Sequence, residues 1–290
     1  MENPTDDILM KNRSSRACIG AGYRLYTGNF RRIFRYSWPA ATVYALVCSV
    51  AGTMMVYSPQ ILPLTLLLIL IVDALFSAYG FAVLKQHQQT GIISSPLKWF
   101  NLDVPIFTRT LKGSLFMVLL FCQVAVIIAA ITYGALLWLS TQTALVVVCL
   151  LGVIALVLLL PLSYVLMRYV LTSGSFFGQL SQRYPIGLRR WGFIFIVTFV
   201  AVLVEVVFSL ILSLPASILS AANMQANLGV LNGDPYGMPS YIGWLTAVVF
   251  LFIGFIQAYV MLSTLFPLYY MYGAIDVQEK EKKEFNKRKI

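Results

Sequence analysis

The chain has 290 residues, of which 59% are hydrophobic and 11% charged, with a mean hydropathy of +0.81 and a formal net charge of +10. Soluble domains carry about 25% charged residues. This composition excludes a water-soluble globule, a disordered chain and a disulfide-stapled secreted domain. It indicates an all-α, polytopic membrane protein.

Six stretches are apolar over the length of about 20 residues that a helix needs to cross a bilayer. They lie at Trp38–Tyr57, Ile61–Leu84, Leu115–Leu139, Ala144–Met167, Phe193–Leu214 and Tyr241–Tyr270. We therefore predict an N-terminal tail (1–37), a domain of six spans (38–270) and a charged C-terminal tail (271–290). Pro161, late in the fourth stretch, is predicted to kink that helix.

The basic residues predict the orientation of the spans. All 21 Lys and Arg residues lie in the two tails or in the connections that follow the second and fourth spans. The other connections, at 58–60, 140–143 and 215–240, contain none. The positive-inside rule then places both termini in the cytoplasm. Topology and anionic lipid account for the positive charge, so no nucleic-acid partner is expected. The outer connections lack an Asn-x-Ser/Thr sequon, which is consistent with a bacterial inner membrane.

A basic, amphipathic segment precedes each odd-numbered span. Before the first span, five apolar residues fall on one helical face: Ile19, Tyr23, Tyr26, Phe30 and Ile33. Arginines occupy the opposite face, which predicts a helix lying in the plane of the membrane interface. Weaker versions of this pattern precede the third and fifth spans. The predicted contacts to anionic lipid headgroups are Arg24, Arg31, Arg32, Arg35, Arg109, Lys112, Arg189 and Arg190.

The sequence thus predicts three similar repeats, each with a basic segment, a span going out and a span coming back. The basic and aromatic belts found at the cytoplasmic ends of membrane proteins in general would give a similar pattern. The segment Tyr23–Arg32 (YRLYTGNFRR), followed by a span and repeated before later hairpins, resembles the YciC-like group of bacterial membrane proteins. That group is related in arrangement to the membrane domains found beside glycerophosphodiester phosphodiesterases. The resemblance covers most of the chain and implies a six-helix bundle with in-plane helices. It implies no catalytic residues.

Several polar residues lie inside the predicted spans. Asp73 and Glu205 are near the middle of the second and fifth spans, where each charge costs roughly 2.5–3.5 kcal/mol on insertion scales. Small and polar residues on the same helical faces suggest that both carboxyl groups face protein or water. The predicted intramembrane polar site comprises Asp73, Glu205, Gln123, Gln257, Ser77 and Ser209. Interhelical hydrogen bonding that stabilises the bundle would explain the same residues.

These observations favour small-molecule or lipid transport or handling. The alternative is a non-catalytic scaffold or accessory subunit that docks another membrane protein, through small residues such as Ala41, Ala45, Cys48 and Gly52. That stripe could equally be internal packing. No catalytic motif is present, so we do not expect an enzyme, although Asp73 and Glu205 could form an acid–base pair. The single histidine, His87, has no accompanying ligand cluster, and no metal or cofactor is expected.

Overall fold

The computed structural model describes Leu9, Pro239 and the ranges 11–57, 62–93, 104–138, 140–172, 174–233 and 241–288. Its described residues form helices and no strands. The helices are α1 (Ser15–Tyr57), α2 (Leu62–Thr90), α3 (Val104–Trp138), α4 (Thr141–Leu159), α5 (Leu162–Leu171), α6 (Phe176–Arg189), α7 (Trp191–Leu231) and α8 (Tyr241–Lys287). Six helical stretches, with α4 and α5 counted together, are long and apolar enough to cross a membrane. The prediction of an all-α, polytopic membrane protein is confirmed.

The helices are longer than the predicted spans. Helix α1 has 43 residues and continues through Pro39, so its length of about 65 Å far exceeds the roughly 30 Å of a hydrocarbon core. The first basic segment and the first span are therefore one helix. Helix α3 likewise joins its basic segment to its span, and α8 continues beyond residue 270 to Lys287. The predicted span limits Ile61 and Leu139 lie outside the described residues.

Within the described ranges, the third basic segment alone forms a separate helix, α6, which packs beside a break at Pro161. Proline has no N–H to donate and ends α4, as the sequence predicted. Tyr184 of α6 donates its hydroxyl to the Leu158 carbonyl at 2.8 Å and so satisfies a carbonyl beside the break. Burial raises the pKa of Tyr184, which keeps this phenol protonated as a donor.

The chain forms two compact units. The first unit comprises Met1–Gly22, Thr108–Val200 and Pro267–Ile290, and the second comprises Tyr23–Phe107 and Ala201–Phe266. Helices α1, α3, α7 and α8 each contribute residues to both units.

In the second unit, α1 and α8 run antiparallel at close range. Ser49 Oγ donates to the Ala247 carbonyl at 2.6 Å, whereas Ser37, earlier in α1, bonds Tyr259, later in α8. A Cβ added at Gly254 of α8 would lie 2.9 Å from Cys48 Cβ and 3.1 Å from Ala45 Cα. The stripe of small residues on α1 is therefore internal packing against α8, not an open docking groove.

The core of the second unit is aromatic. Tyr259 packs against rings from two other helices, at centroid distances of 5.4 Å to Phe34 and 5.9 Å to Phe76. Tyr26 donates its hydroxyl to the Tyr259 carbonyl at 2.9 Å and packs on Phe266. The apolar face of the first basic segment, which the sequence assigned to the membrane interface, thus packs partly on α8. Its lipid-facing role stays a prediction.

The core of the first unit forms around the C-terminal part of α8. The side chains of Tyr269, Met271, Tyr272, Ala274 and Ile275 are all fully buried. They share this core with the buried face of α5, where the Tyr164 and Tyr272 rings lie 6.4 Å apart. The end of α8 is therefore a core element of this unit rather than a solvated tail.

The contact between α6 and the break depends on Gly187. A Cβ at this position would lie 2.9 Å from Pro161 Cβ and 3.4 Å from the Pro161 carbonyl. We expect Gly187→Ala to destabilise the protein by about 1–3 kcal/mol, because the backbones must separate. Gly192→Ala is the control, since a Cβ there meets nothing within 4 Å and Ala gains about 0.5–1 kcal/mol over Gly inside a helix. Thermal unfolding in detergent should move in opposite directions for the two variants, and equal shifts would contradict the assignment.

Candidate functional site

The second unit brings together the two carboxylates that the sequence singled out. Asp73 lies on α2 and Glu205 on α7, and both side chains are half-buried. The Glu205 charge is one of the influences on the Asp73 carboxyl, which places the two groups in one region of this unit. The sequence places them 132 positions apart, so helix packing brings them into this region. Because like charges in a weakly solvated interior repel each other, this arrangement favours the uptake of a proton or the binding of a cationic group.

A tyrosine on a third helix completes the carboxylate cluster. Tyr44 of α1 is buried, and its hydroxyl lies within electrostatic range of both Asp73 and Glu205. Its ring packs on Phe76 of α2 with centroids 5.9 Å apart. Sequence reasoning missed Tyr44, because one tyrosine among 16 carries no positional signal.

The polar stripe continues along α7 to a hydrogen-bonded pair. Ser209 lies one turn beyond Glu205, and its Oγ accepts a hydrogen bond from Gln257 Nε2 of α8 at 2.8 Å. The same Oγ lies 3.1 Å from Gln257 Oε1. Ser77 occupies the equivalent position on α2, one turn beyond Asp73, and is half-buried. Five of the six predicted site residues therefore belong to the second unit.

Gln123, the sixth predicted residue, has a different setting. It lies on α3 in the first unit, and its side chain is exposed. The prediction treated every amide in an apolar helix as inward-facing.

The predicted headgroup contacts are mostly exposed. The side chains of six are exposed: Arg24, Arg31, Arg32, Arg35, Lys112 and Arg189. The remaining two are half-buried and engaged within the first unit. Arg109 Nη1 donates to the Thr172 carbonyl, and Arg190 Nε lies 3.9 Å from Glu279 Oε1. Of the exposed six, Arg32 donates from Nη1 to the Ile93 carbonyl at 3.0 Å. The contact of all six with lipid phosphates stays a prediction.

The first unit contains a buried charge cluster that sequence reasoning missed. Asp276 of α8 is only 7% exposed. Its Oδ2 accepts from Arg168 Nη1 of α5, and its Oδ1 accepts from the Tyr164 hydroxyl at 2.6 Å. Arg168 Nε also donates to Gln179 Oε1 of α6 at 3.1 Å. The cluster thus connects three helices, and every charged group in it is paired.

Among the described residues, no group of three or more His, Cys, Asp or Glu side chains could hold a metal ion. The carboxylate cluster contributes two acidic groups and a phenol. Its chemistry is therefore that of proton exchange, hydrogen bonding and attraction for a positive charge.

Comparison with known families, curated proteins and solved structures gives no match to this chain, so the resemblance to the YciC-like group stays a prediction.

Proposed function

We propose that this multi-pass membrane protein transports or handles a small molecule or lipid, and that Asp73 and Glu205 form its polar site. The observation that carries the proposal is the proximity of these two carboxylates on separate helices of one unit. Carboxylates inside membrane helices are costly and commonly mark ion or substrate pathways. Here two of them belong to one unit, on separate helices.

A purely structural role explains the cluster less well. Ser209 and Gln257 already join α7 to α8 through neutral groups that satisfy each other. Such a pair stabilises a helix contact without placing a charge in an apolar region. Two neighbouring carboxylates weaken a contact whenever both are ionised. Their presence is better explained by reversible binding of a proton or of a cationic group of the transported molecule.

The scaffold alternative loses the feature that favoured it. Its predicted docking surface was the small-residue stripe of α1, and in the second unit α8 packs against that stripe. A partner protein would need another surface.

Water access at the two carboxylates tests the proposal. Asp73→Cys and Glu205→Cys are made separately in a background in which the four native cysteines are replaced by Ser. Open membrane fragments, which expose both faces of the membrane, are then treated with a small, charged thiol reagent. We expect both positions to react, because a site that exchanges protons or solutes must be reached by water.

Two further variants serve as the positive and negative controls for thiol labelling. Glu284→Cys, at an exposed position near the end of α8, is the positive control. Val207→Cys lies on the opposite face of α7 from Glu205, is exposed without a polar neighbour in sequence, and should stay unlabelled in lipid. A folded protein in which Glu284→Cys reacts while neither carboxylate position does would refute the proposal and favour a dry structural contact.

A further inference from the structure

Two apolar clefts lie side by side in the first unit. The α6 cleft has a volume of about 420 Å³ and is bounded by Phe116, Leu120, Leu158, Leu180, Ser181 and Tyr184. The α7 cleft has a volume of about 500 Å³ and is bounded by residues such as Phe121, Ile128, Leu156 and Thr198. Val124 and Leu159 belong to the walls of both. Each cleft is large enough for one fatty-acyl chain.

Two cations lie one helical turn from wall residues of the α6 cleft, on two helices. Lys112 lies one turn before Phe116 on the stripe of α3 that continues through Leu120 and Val124. Arg189 lies one turn beyond Pro185, which also lines this cleft on α6. Both side chains are exposed, and no carboxylate of the described residues forms an ion pair with either. This helical spacing implies a positive rim beside the apolar walls.

The charge of the surrounding sequence is one-sided. Between residues 104 and 204 there are six Lys and Arg residues and no Asp or Glu: the cations are Arg109, Lys112, Arg168, Arg183, Arg189 and Arg190. Arg168 and Arg190 face Asp276 and Glu279 of α8, whereas Lys112 and Arg189 remain for an external anion. Phe177, on the same face of α6 as Tyr184, is 72% exposed, as expected for a helix with one side in lipid.

We propose that the first unit binds one anionic diacyl phospholipid, with an acyl chain in each cleft and the phosphate at Lys112 and Arg189. Two adjoining clefts fit two chains, which a single-chain amphiphile does not have. The cationic rim selects an anionic headgroup over a zwitterionic one. This lipid site does not include the residues of the carboxylate cluster. A result that refutes the lipid site would therefore not refute the proposed transport function.

Native mass spectrometry of the purified, full-length protein tests the site. The protein is titrated with dioleoylphosphatidylglycerol and, separately, with dioleoylphosphatidylcholine. We expect one tightly retained phosphatidylglycerol, bound about tenfold or more better than phosphatidylcholine, since each cation near an anionic lipid contributes roughly fivefold. Equal retention of the two lipids would overturn the proposal.

Three variants locate the lipid. Lys112→Gln with Arg189→Gln should reduce phosphatidylglycerol binding to the phosphatidylcholine level, whereas Lys283→Gln, at an exposed position near the end of α8, should not. Ser181→Trp, at an exposed position on the cleft wall, should reduce the binding of both lipids by filling the α6 cleft. All substituted side chains are exposed, and helicity and thermal midpoint verify folding. Retention of selectivity in the double variant, or of binding in Ser181→Trp, would also overturn the proposal.

Discussion

Replacing Asp276 with Asn is expected to lower the free energy of unfolding by about 3–5 kcal/mol, the usual cost of removing one partner of a buried ion pair. The change is nearly isosteric, so it tests charge rather than packing. An amide nitrogen facing Arg168 would place two donors together and leave the guanidinium without its counter-charge. Thermal and denaturant unfolding of the purified protein in detergent would measure the loss.

Glu279→Gln is the matched control for this result. Glu279 lies on the same helix, less than one turn beyond Asp276, but its partner Arg190 is 35% exposed and 3.9 Å away. Partly solvated pairs of this kind contribute at most about 1 kcal/mol. Replacing both buried partners, as Arg168→Met with Asp276→Leu, should recover much of the stability lost by Asp276→Asn. Equal losses in Asp276→Asn and Glu279→Gln would show that the cluster is not a stabilising element.

The buried role of Asp276 could not be predicted from the sequence. It precedes a run of mixed charges that is typical of a solvated tail, and its partner Arg168 is 108 positions away. A helical repeat shows which residues share a face, but not which other helix covers that face. The one available signal was local: Asp276 continues the face of Tyr269 and Tyr272, which are both buried.

The spans themselves could be predicted because the cost of exposing polar groups to lipid imposes a minimum apolar length. The ends of the helices could be predicted less well from the sequence. A basic, amphipathic segment and an apolar span both favour a helix, so no signal marks the boundary between them in α1 or α3. Proline was an inconsistent marker, since α1 continues through Pro39 while α4 ends before Pro161. At Pro161, side chains from α5 and α6 satisfy nearby carbonyls, which sequence alone does not show.

The sequence predicts those site residues whose placement inside an apolar span costs the most free energy. Asp73 and Glu205 are the acidic residues of the apolar spans. Their position near the middle of a span is enough to identify both as candidates. Gln123 seemed comparable, but an amide can be exposed on a helix at a smaller cost than a carboxylate. Tyr44 carried no such signal, because its role depends on the other two helices that approach it.

Gly254→Val is expected to destabilise the protein by about 3 kcal/mol, at the upper end of the cost of overpacking a core. The reason is that a Cβ at residue 254 would meet the Ala45 Cα at 3.1 Å, so a backbone rather than a flexible side chain stands in the way. The two γ-carbons of Val extend the clash, and α1 and α8 must move apart along the contact that includes Ser49 and Ala247. A reduced thermal midpoint in detergent would report this separation.

Gly28→Val provides the comparison, because Gly28 lies on α1 and a Cβ there meets nothing within 4 Å. Its effect should stay within the small range of helix propensities, below about 1 kcal/mol. The comparison of these two variants also tests the placement of Tyr44 in the carboxylate cluster. Tyr44 is adjacent in sequence to Ala45, so displacement of α1 should withdraw its hydroxyl from Asp73 and Glu205 and change the thiol labelling at those positions. If Gly254→Val proves as stable as Gly28→Val, the close approach of α1 and α8 is wrong, and the placement of Tyr44 beside the carboxylates falls with it.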